Sequence, residues 1–244
     1  KLSPPRVGDA CLRPERLELL ERSFRCRLTL VCAPAGYGKT TAVLEAIRRL
    51  DLRFIWYKLD VLDHDPVVLI ASLVQAFAGL YPGFGQTIID RLANAHDAPY
   101  PIDQMVAEFV AEAADTTADD LWLVLDDYHE ASDSRSLNTT LDYLVTNLPP
   151  TMHFVVLSRY EPALEIGKLR LNGDLATVGV EGLRFGPDEV LEVVTRRADT
   201  TLSSNHAAAI AELTEGWPAS VVLAALATRW VGIESLESAL SDPR

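Results

Sequence analysis

Leu28-Thr29-Leu30-Val31-Cys32-Ala33-Pro34-Ala35-Gly36-Tyr37-Gly38-Lys39-Thr40-Thr41 is the stretch that decides the fold. Leu28 to Cys32 reads as a short buried strand and Thr40 to Leu50 as the helix that follows. A strand ending in a glycine-rich turn that opens a helix aims several backbone N–H groups at one point, and the helix dipole adds about half a positive charge there. Gly36 and Gly38 let the backbone curl round phosphate oxygens where a Cβ would intrude. Lys39 is placed to reach the β- and γ-phosphates, and the Thr40 hydroxyl to ligate Mg²⁺. Pro34, Ala35, Tyr37 and Thr41 complete this nucleotide-binding loop, whose ligands are expected to be ATP or ADP with Mg²⁺. Ala33 stands where the usual pattern opens with a glycine.

Outward from this loop, short apolar runs alternate with helical patterns, as in a parallel sheet wrapped by helices. A second strand is expected at Phe54 to Leu59. Asp65-Pro66 then supplies an N-cap and a first-turn proline for a helix to about Gly79. The Gly-, Pro-, Asn- and Asp-rich segment from Tyr81 to Pro101 reads as a surface excursion, followed by a helix at Ile102 to Ala114. Strands at Leu121 to Leu125 and Phe154 to Leu157 flank a helix at Leu137 to Asn147, which Pro149-Pro150 ends. A fifth strand is placed at Leu175 to Val180. Beyond Arg184 only helices are expected: one opened by Pro187-Asp188-Glu189, one at Asn205 to Leu213 and one at Pro218 to Trp230, with Gly216 as a stop. The expected fold class is α/β, a P-loop nucleoside triphosphatase with a five-stranded parallel core and a small helical subdomain.

Leu121-Trp122-Leu123-Val124-Leu125-Asp126-Asp127 is an apolar strand ending in two carboxylates, the pattern of a Walker-B element. Asp126 is expected to hold Mg²⁺, directly or through water, beside Thr40. Asp127 is the candidate catalytic acceptor that orients or activates the attacking water. Phe154-Val155-Val156-Leu157-Ser158-Arg159 ends the next strand with an arginine, the second catalytic candidate, placed to sense a third phosphate. The guanine-reading Asn-Lys-x-Asp is absent, which favours adenine.

The bulk composition agrees. The 244 residues are 48% hydrophobic and 23% charged, enough for a sizeable core, and the formal charge of −13 opposes binding to a phosphate backbone. Cys11, Cys26 and Cys32 have no Cys-x-x-Cys spacing and read as reduced thiols. The histidines, His64, His96, His129, His153 and His206, form no zinc pattern. Without an apolar run of ~18 residues or a secretory signal, the chain reads as cytosolic. Its ends suggest a piece of a longer protein.

As a set, Leu2-Ser3-Pro4-Pro5-Arg6, the loop Ala33 to Thr41, Leu125-Asp126-Asp127-Tyr128-His129, Leu148-Pro149-Pro150, Ser158-Arg159 and Thr214-Glu215-Gly216-Trp217-Pro218-Ala219 resemble the large, MalT-like regulators of the LuxR type. These are signal-transduction ATPases with numerous domains (STAND), and the similarity spans nearly the whole chain. The resemblance implies a switch in which ADP holds a resting monomer, while inducer and ATP drive self-association. It implies contact with DNA only through a domain absent from these residues. By matching positions it also implies that Arg13-Pro14 lies near the adenine, that Arg159 is the sensor arginine, and that Gly216-Trp217-Pro218 brings the helical subdomain onto the nucleotide, with Pro218 among the binding residues. On the residues alone, Gly216-Trp217-Pro218 is an inter-helix turn with a core tryptophan. Gly182 departs from the family's Asp-Leu-Arg-Phe, and Tyr160-Glu161 from a shorter polar pair. Residues 1–26 are read as a lead-in that contacts nucleotide, 27–184 as the P-loop domain and 185–244 as the helical subdomain. The main expectation is a regulatory switch with slow ATP hydrolysis. A small-molecule kinase and a non-hydrolysing scaffold that keeps ADP are the alternatives.

Overall fold

The computed structural model describes residues 1–6, 14–94, 101–198 and 202–231. At its centre lie five parallel strands: β1 (Leu28–Cys32), β2 (Phe54–Lys58), β3 (Leu121–Asp126), β4 (Met152–Ser158) and β5 (Leu175–Val178), in the spatial order β2-β3-β4-β1-β5. Parallel neighbours require crossover connections, and helices supply them. α1 (Pro14–Phe24) precedes β1; the connections run through α2 (Lys39–Arg49), α3 (Pro66–Leu80), α4 (Gln86–Ala93), α5 (Ile102–Thr116), α6 (Arg135–Asn147) and α7 (Gly167–Asn172); α8 (Val180–Leu183) follows β5, with α9 (Pro187–Ala198), α10 (Ser204–Leu213) and α11 (Pro218–Val231) beyond the sheet.

The strands are apolar on both faces because both are covered. Leu28, Leu30, Ile55, Tyr57, Leu121, Leu123, Leu125, Phe154 and Val156 face a core with α3, α5 and α6. The alternate residues Val31, Trp56, Trp122, Val124, Val155 and Leu157 face α1 and α2. A third core, including Val190, Val194, Ala207, Ile210, Val221 and Ala225, is built from α9, α10 and α11 with Leu202 and Phe185 beside them. Local signals act as read: the Asp65 side chain accepts from Val67 N at the start of α3, with Pro66 in the first turn.

Over residues 81–94 the structure corrects the expected surface excursion; the part at 95–100 lies outside the described residues. Gly83 and Gly85 take φ of 91° and 76° and turn the chain into α4. Phe84 and Ile88 are buried, with the Phe84 ring 4.9 Å from Phe77 and 5.5 Å from Phe109. Apolar residues at 84, 88 and 92 have helical spacing, which the glycines and polar residues around them mask. The fifth strand stops at Val178, and Val180 opens α8. The lead-in carries α1, whose Leu20 and Phe24 are buried against the α2 side of the sheet. Arg13 and its expected contact with adenine lie outside the described residues. Among the described residues no helix is long and apolar enough to cross a membrane.

Candidate nucleotide site

The strand order inserts β4 between β1, which feeds the glycine loop, and β3, which ends in the acid pair. All three strands are parallel, so Lys39, Asp126 and Arg159 follow strand ends on the same edge of the sheet. Ala33 N donates to Ser158 O at 3.2 Å, which ties the start of the loop to the end of β4. Gly36 and Gly38 take φ of 81° and 70°, the left-handed region that disfavours a side chain. Ala33 is not among the non-glycine residues with positive φ, so the first position of this loop has no conformational need for glycine. Lys39 and Thr40 open α2, where backbone N–H groups have no helical partner. Lys39 Nζ donates to Ala33 O at 2.6 Å and to Pro34 O at 3.2 Å, arching over the loop. Tyr37 packs against the core beneath α2.

Thr40 Oγ1 donates to Asp126, at 3.2 Å from Oδ1 and 3.3 Å from Oδ2. Asp126 is 3% exposed. Burial, then the neighbouring Asp127 charge, raises its carboxyl above the ordinary range, against the pull of Asp127 N–H and the Thr40 hydroxyl. Folding therefore penalises the ionised form at any pH above the raised value, and the penalty disappears below the ordinary one. A cation beside Asp126 would relieve it. The hydroxyl and carboxylate oxygens are hard donors suited to Mg²⁺. No cluster of three or more His, Cys, Asp or Glu able to hold a metal occurs among the described residues, so Mg²⁺ would need phosphate oxygens as well.

Asp127 is half-buried with φ of 55°, and its Oδ2 lies 3.0 Å from Lys58 Nζ. Its Oδ1 is 4.0 Å from Nδ1 of His129, whose side chain is 5% exposed. Among the described residues neither ring nitrogen of His129 makes a hydrogen bond, although Nε2 lies 3.2 Å from Glu130 Oε1; burial, then the Arg159 charge, lowers its pKa. Arg159 is exposed. Its charge also lowers the pKa of Lys39, although burial is the larger cause there. Lys39, Asp126, Asp127 and Arg159 thus form one electrostatic group. Cys32, at the end of β1, is free, and burial pushes its thiol up to about 11, which keeps it protonated.

The helical subdomain reaches this loop. Trp217 Nε1 donates to Ala35 O at 3.1 Å, and Ala219 N donates to Gly36 O at 3.1 Å. A Cβ on Gly36 would lie 2.6 Å from Trp217 Nε1 and 2.9 Å from Ala219 Cβ, so Gly36 serves this contact as well as its own backbone. Trp217 is 38% exposed and is no core residue, contrary to the residue-only reading of the turn. Pro218 is buried between these two contacts.

A second junction escaped the sequence reading. Phe185 N donates to Gly216 O at 2.8 Å, and a Cβ on Gly216 would meet Phe185 O at 2.4 Å. Arg16, on α1, donates to Gly182 O at 3.0 Å and Arg184 O at 2.7 Å, and pairs with Glu189 of α9 at 2.7 Å. Glu189 also accepts from Gly186 N at 2.9 Å, which caps α9. Partners 173 residues apart leave no local signal of their pairing. Gly182 packs tightly, since a Cβ there would lie 2.9 Å from both Leu19 and Val178 side chains.

No protein-family model matches the chain. It is 30% identical over 241 residues to the HTH-type transcriptional regulator MalT of Serratia proteamaculans, covering 98% of this chain and 26% of that protein. It is 28% identical over 231 residues to the serine/threonine-protein kinase PknK of Mycobacterium tuberculosis, covering 93% of this chain and 20% of that one. The chain therefore spans about a quarter or less of the length of these relatives. A solved STAND protein with a tetratricopeptide repeat sensor from Pyrococcus horikoshii superposes with a TM-score of 0.62 at 16% identity, over 98% of this chain and 33% of that one. The fold is that of a P-loop ATPase, as in this solved STAND protein, and the resemblance to MalT-like regulators extends over nearly the whole chain.

Proposed function

We propose that this MalT-like chain is the nucleotide-operated switch domain of a transcriptional regulator, binding ADP or ATP with Mg²⁺ at the loop from Pro34 to Thr41 and hydrolysing ATP slowly. The observation that carries the reading is the meeting of three groups: Lys39 over the loop, Thr40 at the start of α2, and the buried Asp126 that accepts from Thr40.

In this reading, loop N–H groups and the N-terminus of α2 receive the phosphates, and Lys39 exchanges its carbonyl partners Ala33 and Pro34 for β- and γ-phosphate oxygens. Thr40 and Asp126 would hold Mg²⁺, which when bound neutralises phosphate charge and orients the phosphates. Asp127 orients a water toward the γ-phosphorus. As the new P–O bond forms, the bond to the β–γ bridging oxygen breaks, ADP leaves with that electron pair, and the water's proton passes by way of Asp127 to the released phosphate. Arg159 meets the third phosphate and so distinguishes ATP from ADP. Arg13 and Pro218 are assigned to the base side of the nucleotide by family position. The contacts of Trp217 and Ala219 with the loop give the helices α9 to α11 a route to the nucleotide state. Self-association in the ATP state and binding to DNA belong to a longer parent.

Calorimetric titration of ADP and ATP with Mg²⁺ into the parent and Lys39→Ala tests this. Charge-assisted contacts are worth about 1.5–3 kcal/mol each, so losing two of them weakens binding by roughly 100-fold or more. Parental affinity in the variant would remove the phosphate-loop assignment.

A further inference from the structure

The ion pair between Lys58 and Asp127 has no part in the reading above. Lys58 is the last residue of the edge strand β2, and the register sets it opposite Asp126. Its backbone is held by Lys58 N donating to Lys1 O at 3.0 Å. The sheet itself therefore delivers a third cation to the acid pair. The Asp127 main chain is fixed by its φ of 55° and by its N–H on Asp126 Oδ1 at 3.0 Å, but neither determines where the carboxylate points. That is left to the side-chain partners: Lys58 at 3.0 Å, and His129 at 4.0 Å, too far for a hydrogen bond.

We infer that Lys58 is a positioning residue for ATP hydrolysis, holding the Asp127 carboxylate where it orients the attacking water; this rests on the role proposed for Asp127. Phosphoryl transfer through a loose transition state makes little demand on base strength and a large one on placement, so the net effect of Lys58 favours hydrolysis. Lys58 is 58% exposed, which keeps its contribution small. Exposed pairs of this kind correspond to about a two- to five-fold change in rate.

The test is single-turnover hydrolysis of Mg²⁺-ATP by the 244-residue chain. Variants are Lys58→Ala, Lys58→Arg, Asp127→Asn and the double Lys58→Ala/Asp127→Asn, each with its ATP affinity measured. Lys58→Ala should lower the rate about two- to five-fold at unchanged affinity, and Lys58→Arg should restore most of it. The deficit should shrink as salt approaches ~1 M, where screening acts within about 3 Å. Beside Asp127→Asn, Lys58→Ala should cost nothing more. Full activity in Lys58→Ala with a slowed Asp127→Asn overturns the positioning role alone, as do losses that simply add. Full activity in Asp127→Asn, or no turnover in the parent, overturns the hydrolytic role of Asp127 and the inference with it.

Discussion

The helical subdomain meets the core at two junctions of opposite chemical character. At the hinge, Arg16 is 9% exposed and Glu189 5% exposed, and around them Arg16 satisfies two carbonyls of the linker while Glu189 caps α9. At the phosphate loop, the contact is two neutral hydrogen bonds onto main-chain carbonyls, one from the indole of Trp217, which is 38% exposed, and one from the Ala219 N–H. Removing one partner of a buried ion pair is costly, whereas a neutral, partly exposed hydrogen bond adds little. The hinge is built to stay joined. The loop contact is weak enough for a change in the loop to reverse it, and that asymmetry is what a switch requires.

Breaking the hinge should give the largest effect. Glu189→Ala removes the carboxylate paired with the buried Arg16 guanidinium and, with it, the cap on α9, and should cost about 3–5 kcal/mol in urea unfolding. A loss below about 1 kcal/mol would mean that the junction is looser than its geometry implies. Gly36→Ala comes next. Its left-handed backbone alone costs alanine about 1–2 kcal/mol, and its Cβ would push the Trp217 indole off the loop. Both stability and ADP affinity should fall, as read by thermal unfolding with and without ADP. Trp217→Phe keeps the ring and removes the bond to Ala35 O. It should cost about 0.5–1.5 kcal/mol, measured in the same unfolding assay, and equality with Glu189→Ala would erase the distinction between the junctions.

The difference between the junctions also explains what the residues reveal unaided. The phosphate loop and Leu121 to Asp127 are local: a strand, its terminating residues and the next helix lie together in sequence, so spacing alone carries their chemistry. The helices of the third core follow from periodicity and their Pro and Gly boundaries. Arg16 and Glu189 are ordinary charges on two amphipathic helices until the fold joins them. Lys58 is likewise unremarkable until the register of β2 against β3 places it beside the acid pair. Phe84, Ile88 and Leu92 had the right period, but Gly83 and Gly85 read as loop before they read as the entrance to α4. Gly36 shows the limit most clearly. Its backbone freedom is visible in the motif, while its second purpose, admitting Trp217 and Ala219, depends on residues more than 180 positions away.

In the proposed switch, nucleotide on the loop is felt by the helical subdomain through the light contact and not through the hinge. Hydrogen exchange of backbone amides, compared without nucleotide and with saturating ADP and Mg²⁺, measures this directly. ADP is expected to protect residues 35–41 and, with them, residues 215–221, including Ala219 N, whose bond to Gly36 O joins the two segments. Phe185 N, bonded to Gly216 O at the hinge, should exchange slowly in both conditions. Protection confined to residues 35–41, with residues 215–221 unchanged, would contradict it.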